Sequence, residues 1–231
     1  KALGFIPSYS MHPLIGKVAN VEWIDGHRLE DFSLDVEAAV KQIADEKPAL
    51  TFITTPNNPT GTAMTIGDIE KLAIATAAVN GLLIVDEAYA EFSKQNSAAT
   101  LIEKYPNVLV SRTMSKAFAF AGVRLGYLAA NKIVVDALQL VRLPYHLSAI
   151  TQAAAEVALD FQGELLAEVS KLAADRDQVA EALAEMGLKV IPSDANFILF
   201  GGFSQSSHEL WEKLLAEGVL IRDVGLAGYL R

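Results

Sequence analysis

Leu82 to Val85 form an unbroken run of four apolar residues that leads directly into Asp86. Short strands rich in apolar or β-branched residues are also predicted at Ala49–Thr54, Val108–Val110 and Leu125–Ala129. Strands without a regular apolar–polar alternation are typical of a parallel sheet covered on both faces, because neither face then meets water. The pattern predicts an α/β fold, with a mostly parallel sheet flanked by helices.

Helical patterns separate these strands. Val36 to Ile43 has apolar residues at helical spacing, and Pro48 ends the segment. Thr65 is predicted to cap a helix over Ile66 to Val79. A further helix is predicted over Ile133 to Arg142. Helices alternating with strands are the pattern of parallel strand–helix–strand units.

The N-terminal region contains two short strand candidates. Lys1 to Ile6 is short and apolar, and the cluster from Pro7 to Pro13 interrupts it. Val18 to Ile24 is then a strand candidate. The chain starts at Lys1 and stops at Arg231, within an apolar segment, so we expect residues to be missing at both ends.

The second half has a different pattern. A long helical tract runs from Ser148 to about Met186, with a kink expected near Gly163, and a helix follows from Ser207 to about Glu217. The long tract is predicted to bury one face, formed by Leu165, Leu166, Val169, Leu172, Val179, Leu183 and Met186.

Short strand candidates surround the last helix, at Lys189–Ile191, Ala195–Phe200, Val219–Arg222 and Tyr229–Arg231. Helices beside short strands predict a smaller α+β domain. The interruption Pro144-Tyr145-His146 places the domain boundary near residue 147. The predicted domains are therefore a large one at 1–147, with its N-terminal part missing, and a small one at 148–231, with its C-terminal end missing.

Composition excludes several classes of function. The formal net charge is −9 without an offsetting basic run, which argues against nucleic-acid and anionic-membrane binding. The chain has no cysteine, so disulfides, thiolate metal sites and a cysteine nucleophile are excluded, and its four histidines lack metal-ligand spacing. No signal peptide or apolar membrane span is evident, and a cytoplasmic protein is expected.

Three polar residues follow predicted strand ends. Asn58, Asp86 and Lys116 are far apart in sequence, but each comes just after a strand. Ligands of parallel α/β sheets bind at the carboxyl ends of the strands. We therefore expect these three side chains to meet at one edge of the sheet.

Lys116 lies within Ser111–Tyr127, a stretch rich in hydroxyl side chains, and Arg124 follows eight residues later. A lysine just past a buried strand is expected to be desolvated, which lowers its pKa and makes it a nucleophilic amine. The hydroxyls and Arg124 are suited to hold an anion beside it. The same stretch is equally compatible with an ordinary loop that carries a solvated lysine.

Together, the residues after the strand ends describe a pyridoxal 5'-phosphate (PLP) site. Lys116 forms a Schiff base with an aldehyde, and Asp86 keeps a pyridinium nitrogen protonated. Tyr89 and Asn58 bond the ring oxygen. The hydroxyls of Thr113 and Ser115 and the guanidinium of Arg124 are suited to bind the phosphate. The aromatic ring of Tyr9 is suited to stack on the cofactor ring. Taken singly, each residue also fits a turn, a helix terminus or a core edge.

The motifs Asn58-Pro59-Thr60-Gly61, Asp86-Glu87-Ala88-Tyr89 and Thr113-Met114-Ser115-Lys116, followed by Gly122, Arg124 and Gly126-Tyr127, resemble one known family. It is the fold-type I, aspartate aminotransferase-like PLP enzymes, and the resemblance extends from Pro7 to Arg231. It implies the same roles, with Lys116, Asp86 and Tyr89 catalytic. It also implies that His12 supports Asp86.

The C-terminal segment most resembles the histidinol-phosphate aminotransferase subfamily. Arg231 and Arg222 match arginines that face the substrate there, with Asn58 beside them, and Asn196 resembles another position near the substrate. This implies amino transfer from L-histidinol phosphate to 2-oxoglutarate in histidine biosynthesis. Aromatic aminotransferases have very similar C-terminal segments and stay an alternative, as do a lyase or decarboxylase and a non-catalytic relative.

The resemblance also implies parts of the site that this sequence lacks. In the family, a glycine-containing loop preceding the residue equivalent to Lys1 binds the cofactor phosphate, and a tyrosine comes from a neighbouring subunit. The expected partners are therefore a second copy of the chain, a phosphorylated amino alcohol or amino acid, and a 2-oxo acid. An incomplete cofactor site is expected in one chain alone.

Overall fold

A computed structural model describes residues 1–231. Its nine strands are β1 (Ala2–Ile6), β2 (Trp23–His27), β3 (Leu50–Thr54), β4 (Leu82–Asp86), β5 (Val108–Thr113), β6 (Gly126–Ala130), β7 (Lys189–Val190), β8 (Phe200–Gly201) and β9 (Tyr229–Leu230). Its seven α-helices are α1 (Met11–Val18), α2 (Val36–Glu46), α3 (Ile66–Ala78), α4 (Lys132–Val141), α5 (Ala149–Asp160), α6 (Gln162–Glu185) and α7 (Ser207–Ala216). None of these helices is both long and apolar enough to cross a membrane.

Two sheets organise the chain. The first has six strands in the order β2-β1-β3-β4-β5-β6, and the second has three in the order β7-β8-β9. All neighbours in the first sheet are parallel except β5 and β6, and the small sheet is antiparallel. The predicted fold class, a mostly parallel sheet with helices and a smaller α+β part, is confirmed.

The main core lies between the first sheet and helices α2 and α3. Leu83 and Val85 of β4 are fully buried there, with Ile43 of α2 and Leu72 of α3. Their neighbours in β4, including Ile84, are only half-buried. One face of the sheet is therefore sealed, while the other, which the sequence predicted to be covered as well, is partly open.

Local signals for the helices of the main core are confirmed. Thr65 caps α3, because its side chain accepts a hydrogen bond from the Asp68 amide. Asn80 ends the following turn with a φ of 58°. Asp35, which the sequence interpretation did not name as a cap, caps α2 in the same way as Thr65 caps α3. These ends depend on neighbouring residues only, which is why the sequence predicts them well.

The sequence interpretation misses a helix and misplaces a strand between residues 11 and 27. Met11 to Val18 form α1, although Pro13 lies inside it. A proline in the first helical turn removes no intrahelical hydrogen bond, because the first four amides have no partner within the helix. The predicted strand Val18–Ile24 is displaced: α1 ends at Val18, Asn20 turns the chain with a φ of 54°, and β2 begins only at Trp23, so Trp23 and Ile24 alone lie in a strand.

The long helical tract also differs from its prediction. It divides into α5 and α6 at Phe161, two residues before the expected kink at Gly163. Of the face predicted to be buried, only Val169 is buried, whereas Leu166, Leu172, Val179 and Met186 are exposed. The periodicity correctly identifies a helix, but nothing in this chain packs against most of that face.

Short strands are the least accurate part of the prediction. Of Ala195–Phe200, only Phe200 joins β8, and Val219–Arg222 contains no strand. Arg222 nevertheless exchanges two backbone hydrogen bonds with Arg231, of 2.8 and 3.0 Å. This exchange attaches the last segment to the small sheet.

The two halves of the chain share buried contacts. Phe32, from the first half, packs with Ile191 and Leu199 beside the small sheet. Ala155 and Ala158 of α5 pack with Met114 and Phe118, which follow β5. The boundary near residue 147 stays a prediction.

Candidate active site

A cavity of about 700 Å³ lies at the carboxyl ends of the parallel strands. All ten residues predicted to bind a cofactor or substrate line it: Tyr9, Asn58, Asp86, Tyr89, Thr113, Ser115, Lys116, Arg124, Arg222 and Arg231. Their convergence in space is an observation, and the role of each residue stays a prediction.

Asp86 is the last residue of β4, where its carboxylate meets two donors. Its Oδ2 lies 3.1 Å from His12 Nε2, and its Oδ1 accepts a 3.1 Å hydrogen bond from the Ala88 amide. The side chains of Asp86 and His12 are only 13–14% exposed. His12 also makes an edge contact with the Tyr9 ring, at 5.4 Å between ring centres. Asp86 therefore has one fixed orientation toward the cavity.

Lys116 follows β5 after the buried Met114. Its Nζ lies 5.5 Å from the centre of the Tyr89 ring, a cation–π distance. The residue is exposed, so the predicted desolvation of Lys116 is wrong for this chain. The reason is that Lys116 follows a strand whose own residues are buried, while its side chain extends beyond them into the open cavity.

Tyr89 is buried in the cavity wall, and its ring meets the Phe197 ring edge to face, with 5.0 Å between the ring centres. Burial raises the pKa of Tyr89, and the positive charge of Arg231 opposes that rise. The hydroxyl is therefore kept protonated, and a protonated phenol can donate a hydrogen bond to an anionic oxygen.

Thr113, Ser115 and Arg124 form a third wall. The Thr113 hydroxyl donates to Ser115 Oγ at 2.9 Å and accepts from the Ser115 amide at 3.1 Å. Arg124 has a left-handed backbone, with a φ of 58°, and its guanidinium donates to the Ala121 carbonyl at 3.0 Å. Two hydroxyls and an exposed guanidinium form a set of donors suited to a phosphate group.

Arg231 reaches the cavity from the C-terminal segment. Its Nη1 donates a 2.5 Å hydrogen bond to Asn58 Oδ1, and its Cζ lies 4.6 Å from the centre of the Phe197 ring. Burial, together with the nearby positive charge of Arg222, lowers the pKa of Arg231. Two guanidiniums with no carboxylate bonded to either make this end of the cavity receptive to an anion.

Gly61 explains the shape of the Asn58–Gly61 loop. Its φ is 79°, and a Cβ there would lie 2.3 Å from Ser193 Oγ. The Gly61 carbonyl also accepts a 2.8 Å hydrogen bond from the Asp194 amide. The glycine lets a segment of the second half approach the loop that carries Asn58.

The sequence interpretation missed several cavity residues. Ser8 and Ser10 flank Tyr9, Thr54 ends β3, and Ser111 lies opposite Asp86 in the strand register. Thr54 and Ser8 lie at or just after a strand end, which is the signal that could have identified them. Asn196 is exposed and outside the cavity wall, so the structure does not place it with the other residues.

An ion pair lies in the cavity wall, where Arg112 is a lining residue. Glu87 is 2% exposed, and its Oε2 accepts from Arg112 Nη2 at 2.7 Å. Arg112 also bonds Glu91 at 3.1 Å, and burial raises the pKa of Glu91. These contacts connect the segment after β4 to β5, and so hold Asp86 and Tyr89 relative to Ser111.

Comparison with known proteins was made for the whole chain. Residues 1–231 match the family described as aminotransferase class I and II. A histidinol-phosphate aminotransferase from Nocardia farcinica (strain IFM 10152) is 56% identical over 232 residues, which cover 100% of this chain and 59% of that protein. The chain thus spans about three fifths of the length of the curated relatives it matches.

Two solved structures have the same fold. One is a histidinol-phosphate aminotransferase from Sinorhizobium meliloti in complex with pyridoxal-5'-phosphate, with a TM-score of 0.89, 25% identity, and coverage of 100% of this chain and 64% of that one. The other is a tetra mutant of Thermus thermophilus aspartate aminotransferase, with a TM-score of 0.84, 23% identity, and coverage of 99% of this chain and 67% of that one. With the match over residues 1–231, the chain belongs to the class I and II aminotransferases.

Proposed function

We propose that the protein is a PLP-dependent aminotransferase that moves the amino group of L-histidinol phosphate to 2-oxoglutarate. The observation that carries the proposal is the meeting of Lys116, Asp86 and Arg231 in one cavity, from three separate parts of the chain. The activity in the names of relatives such as the Nocardia farcinica protein supports the choice of substrate.

The residues of the cavity fit PLP. Asp86 offers a carboxylate that His12 holds in place, which suits a protonated ring nitrogen. Asn58 and the protonated Tyr89 offer donors to the ring oxygen. Thr113, Ser115 and Arg124 offer donors to the phosphate, and Tyr9, 41% exposed, offers a ring face for stacking.

When bound, PLP accepts the amino group and acts as the electron sink of the reaction. Nζ of Lys116 would hold the cofactor aldehyde and would also carry the proton that moves at the reacting carbon. The carboxylate of Asp86 would accept a hydrogen bond from the cofactor ring nitrogen and so keep that nitrogen protonated. The ring of Tyr89 beside Lys116 limits where the amine can lie.

Arg231 and Arg222 bind the anionic group of the substrate. A phosphate carries about two negative charges near neutral pH, and two guanidiniums match it better than one. Asn58 accepts a hydrogen bond from Arg231 in this structure, so it holds the guanidinium before an anion arrives. A 2-oxo acid would use the same arginines in the second half of the reaction.

A second substrate is favoured by the apolar surface beside Arg231. Phe197 lies under its guanidinium, and Val224 and Leu226 line the nearby cavity wall. Such side chains also accept an aromatic ring, so phenylalanine is the alternative amino donor. Comparing kcat/KM for L-histidinol phosphate and L-phenylalanine decides between them. A strong preference for phenylalanine would identify an aromatic aminotransferase.

Lys116→Ala tests the central assignment. Because only Lys116 is placed to link to the cofactor aldehyde, the variant should lose the visible absorbance of lysine-bound PLP and its transaminase activity. Lys94→Ala, which changes an exposed lysine outside the cavity, is the matched control and should keep both. An unchanged absorbance in Lys116→Ala would show that another residue holds PLP.

We also propose that the active protein is a homodimer. Apolar side chains are exposed on α4, on the loop after it and at the start of α5, where Leu140 is 86%, Leu143 is 75% and Ile150 is 82% exposed. A second copy is a suitable cover for a surface of this kind. The cytoplasmic location stays a prediction.

A further inference from the structure

Asn57, next to the predicted ligand residue Asn58, has a side chain that is 0% exposed. It follows β3, beside the cavity, but it does not line the cavity wall. A buried amide is costly unless its donors and acceptor are bonded. The hydrogen-bond partners of the Asn57 side chain therefore show which segments it holds together.

The Asn57 amide is bonded on every side. Nδ2 donates to the Pro7 carbonyl at 3.0 Å and to Thr60 Oγ1 at 2.8 Å. Oδ1 accepts from Ser8 Oγ at 2.8 Å. The backbone of Asn57 adds a 2.8 Å bond to the Thr62 carbonyl and a 2.7 Å bond from the Gly61 amide. This side chain has no free polar atom to offer a ligand.

These bonds join two loops that carry cavity residues. Pro7 and Ser8 follow β1 and lead directly to Tyr9, whereas Thr60 closes the loop after β3 that contains Asn58. Since β1 and β3 are neighbours in the sheet, the loops are close, but their ends are not part of the strand ladder. Outside that ladder, Asn57 is the side chain that ties one loop to the other.

Removing the amide would disturb both loops together. The Pro7 carbonyl and the Thr60 hydroxyl would each lose a buried donor, and a buried polar group without its partner is destabilised more than an exposed one. Ser8 has a second bond, to Thr54 Oγ1 at 3.1 Å, which keeps it in place without fixing the loop after β3.

We infer that Asn57 is a positioning residue, which sets the place of Tyr9 relative to Asn58 so that PLP is held between the stacking ring and the amide. The inference rests on the proposed function, because it concerns how the cavity receives PLP. Asn57 acts through these two neighbours and touches neither cofactor nor substrate.

Asn57→Asp is the sharpest variant, because the side chain keeps its shape and loses both Nδ2 donations. Thr60→Val is a milder one, since it removes a buried acceptor of Asn57 and keeps the branched shape. Asn107→Asp is the matched control. Asn107 lies just before β5, and therefore at the opposite end of the sheet from the cavity. Its Nδ2 donates to the Ala73 carbonyl at 2.9 Å.

The experiment titrates the full-length apoprotein with PLP and records the circular dichroism of the bound cofactor at saturation. We expect the Kd for PLP to rise about tenfold or more in Asn57→Asp, as loss of a buried hydrogen bond predicts. Thr60→Val should shift it less, in the same direction, and Asn107→Asp should leave it unchanged. The dichroic band should weaken in the two loop variants, because the ring is less firmly oriented.

Other outcomes overturn the inference in distinguishable ways. A lower melting temperature of Asn57→Asp with an unchanged Kd and an unchanged band would make Asn57 a residue of general stability. If Asn57→Asp does not fold, the test depends on Thr60→Val. A wild-type Kd for PLP and a wild-type dichroic band in that variant would equally overturn the inference. If the wild-type protein itself does not bind PLP, the proposed function fails, and the inference fails with it.

Discussion

Arg231 connects distant parts of the chain through one side chain. Its guanidinium bonds Asn58, 173 positions earlier, and lies over Phe197, while its backbone pairs with Arg222. Desolvation lowers the pKa of the arginine but leaves it charged near neutral pH. A half-buried cation held in one orientation is ready for an anion and needs little reorganisation on binding.

Arg231→Lys measures what the forked geometry contributes. Lysine keeps the charge but offers one compact ammonium instead of two parallel donors. We expect kcat/KM for L-histidinol phosphate to fall about 30-fold or more, as for truncation of a buried charged contact worth about 2 kcal/mol. Lys171→Arg, on an exposed basic residue of α6 outside the cavity and outside segment 133–150, is the control and should retain wild-type turnover. An equal, small loss in both variants would contradict the role of Arg231.

At the scale of elements, α3 connects the active-site loop to the core. The helix begins five residues after Gly61, and Ile69, Leu72 and Ala73 are buried against the sheet. Thr65 caps it by accepting from the Asp68 amide at 3.2 Å, and the Thr65 hydroxyl donates to Asp68 Oδ2 at 2.8 Å. The cap therefore fixes the end of the loop as well as the start of the helix.

Thr65→Ala should lower the free energy of unfolding by about 1 kcal/mol, because a first-turn amide loses its acceptor. Urea denaturation of wild type and variant gives this difference directly. Thr65→Ser keeps the hydroxyl and should stay close to wild type. Equal stability of all three proteins would mean that water replaces the cap without cost.

At the scale of the whole molecule, the exposed apolar segment 133–150 is the surface least suited to water. Ile133, Leu140 and Val141 of α4 are each more than three-quarters exposed. By contrast, the face of α2 and α3 that meets the sheet is sealed. This asymmetry is what a subunit interface would explain.

Leu140→Glu should shift the full-length protein from dimer to monomer, because a carboxylate in an apolar interface is desolvated without a partner. Sedimentation velocity gives the mass of each species. Ile74→Glu, on the exposed side of α3, adds the same charge outside the segment and should remain a dimer. A monomeric wild-type protein, or dissociation by both variants alike, would contradict the proposed interface.

The sequence by itself determined the fold class, helices α2 and α3 with the Thr65 cap, and the polar residues after the strand ends that line part of the cavity. Those features depend on apolar periodicity, on hydrogen bonds between near neighbours and on side chains that follow strand ends. The resemblance to a known family added the expected pairing of Asp86 with His12, which lie 3.1 Å apart.

Only the tertiary structure decided which surfaces are covered and which distant groups meet. It placed α1 where the sequence interpretation named no helix, exposed Lys116 and most of the predicted buried face of α6, and brought Arg231 to Asn58. It also showed that the buried amide of Asn57 joins two loops. A periodic pattern states that a face is apolar, but burial depends on what packs against it, and that is fixed by residues far away in sequence.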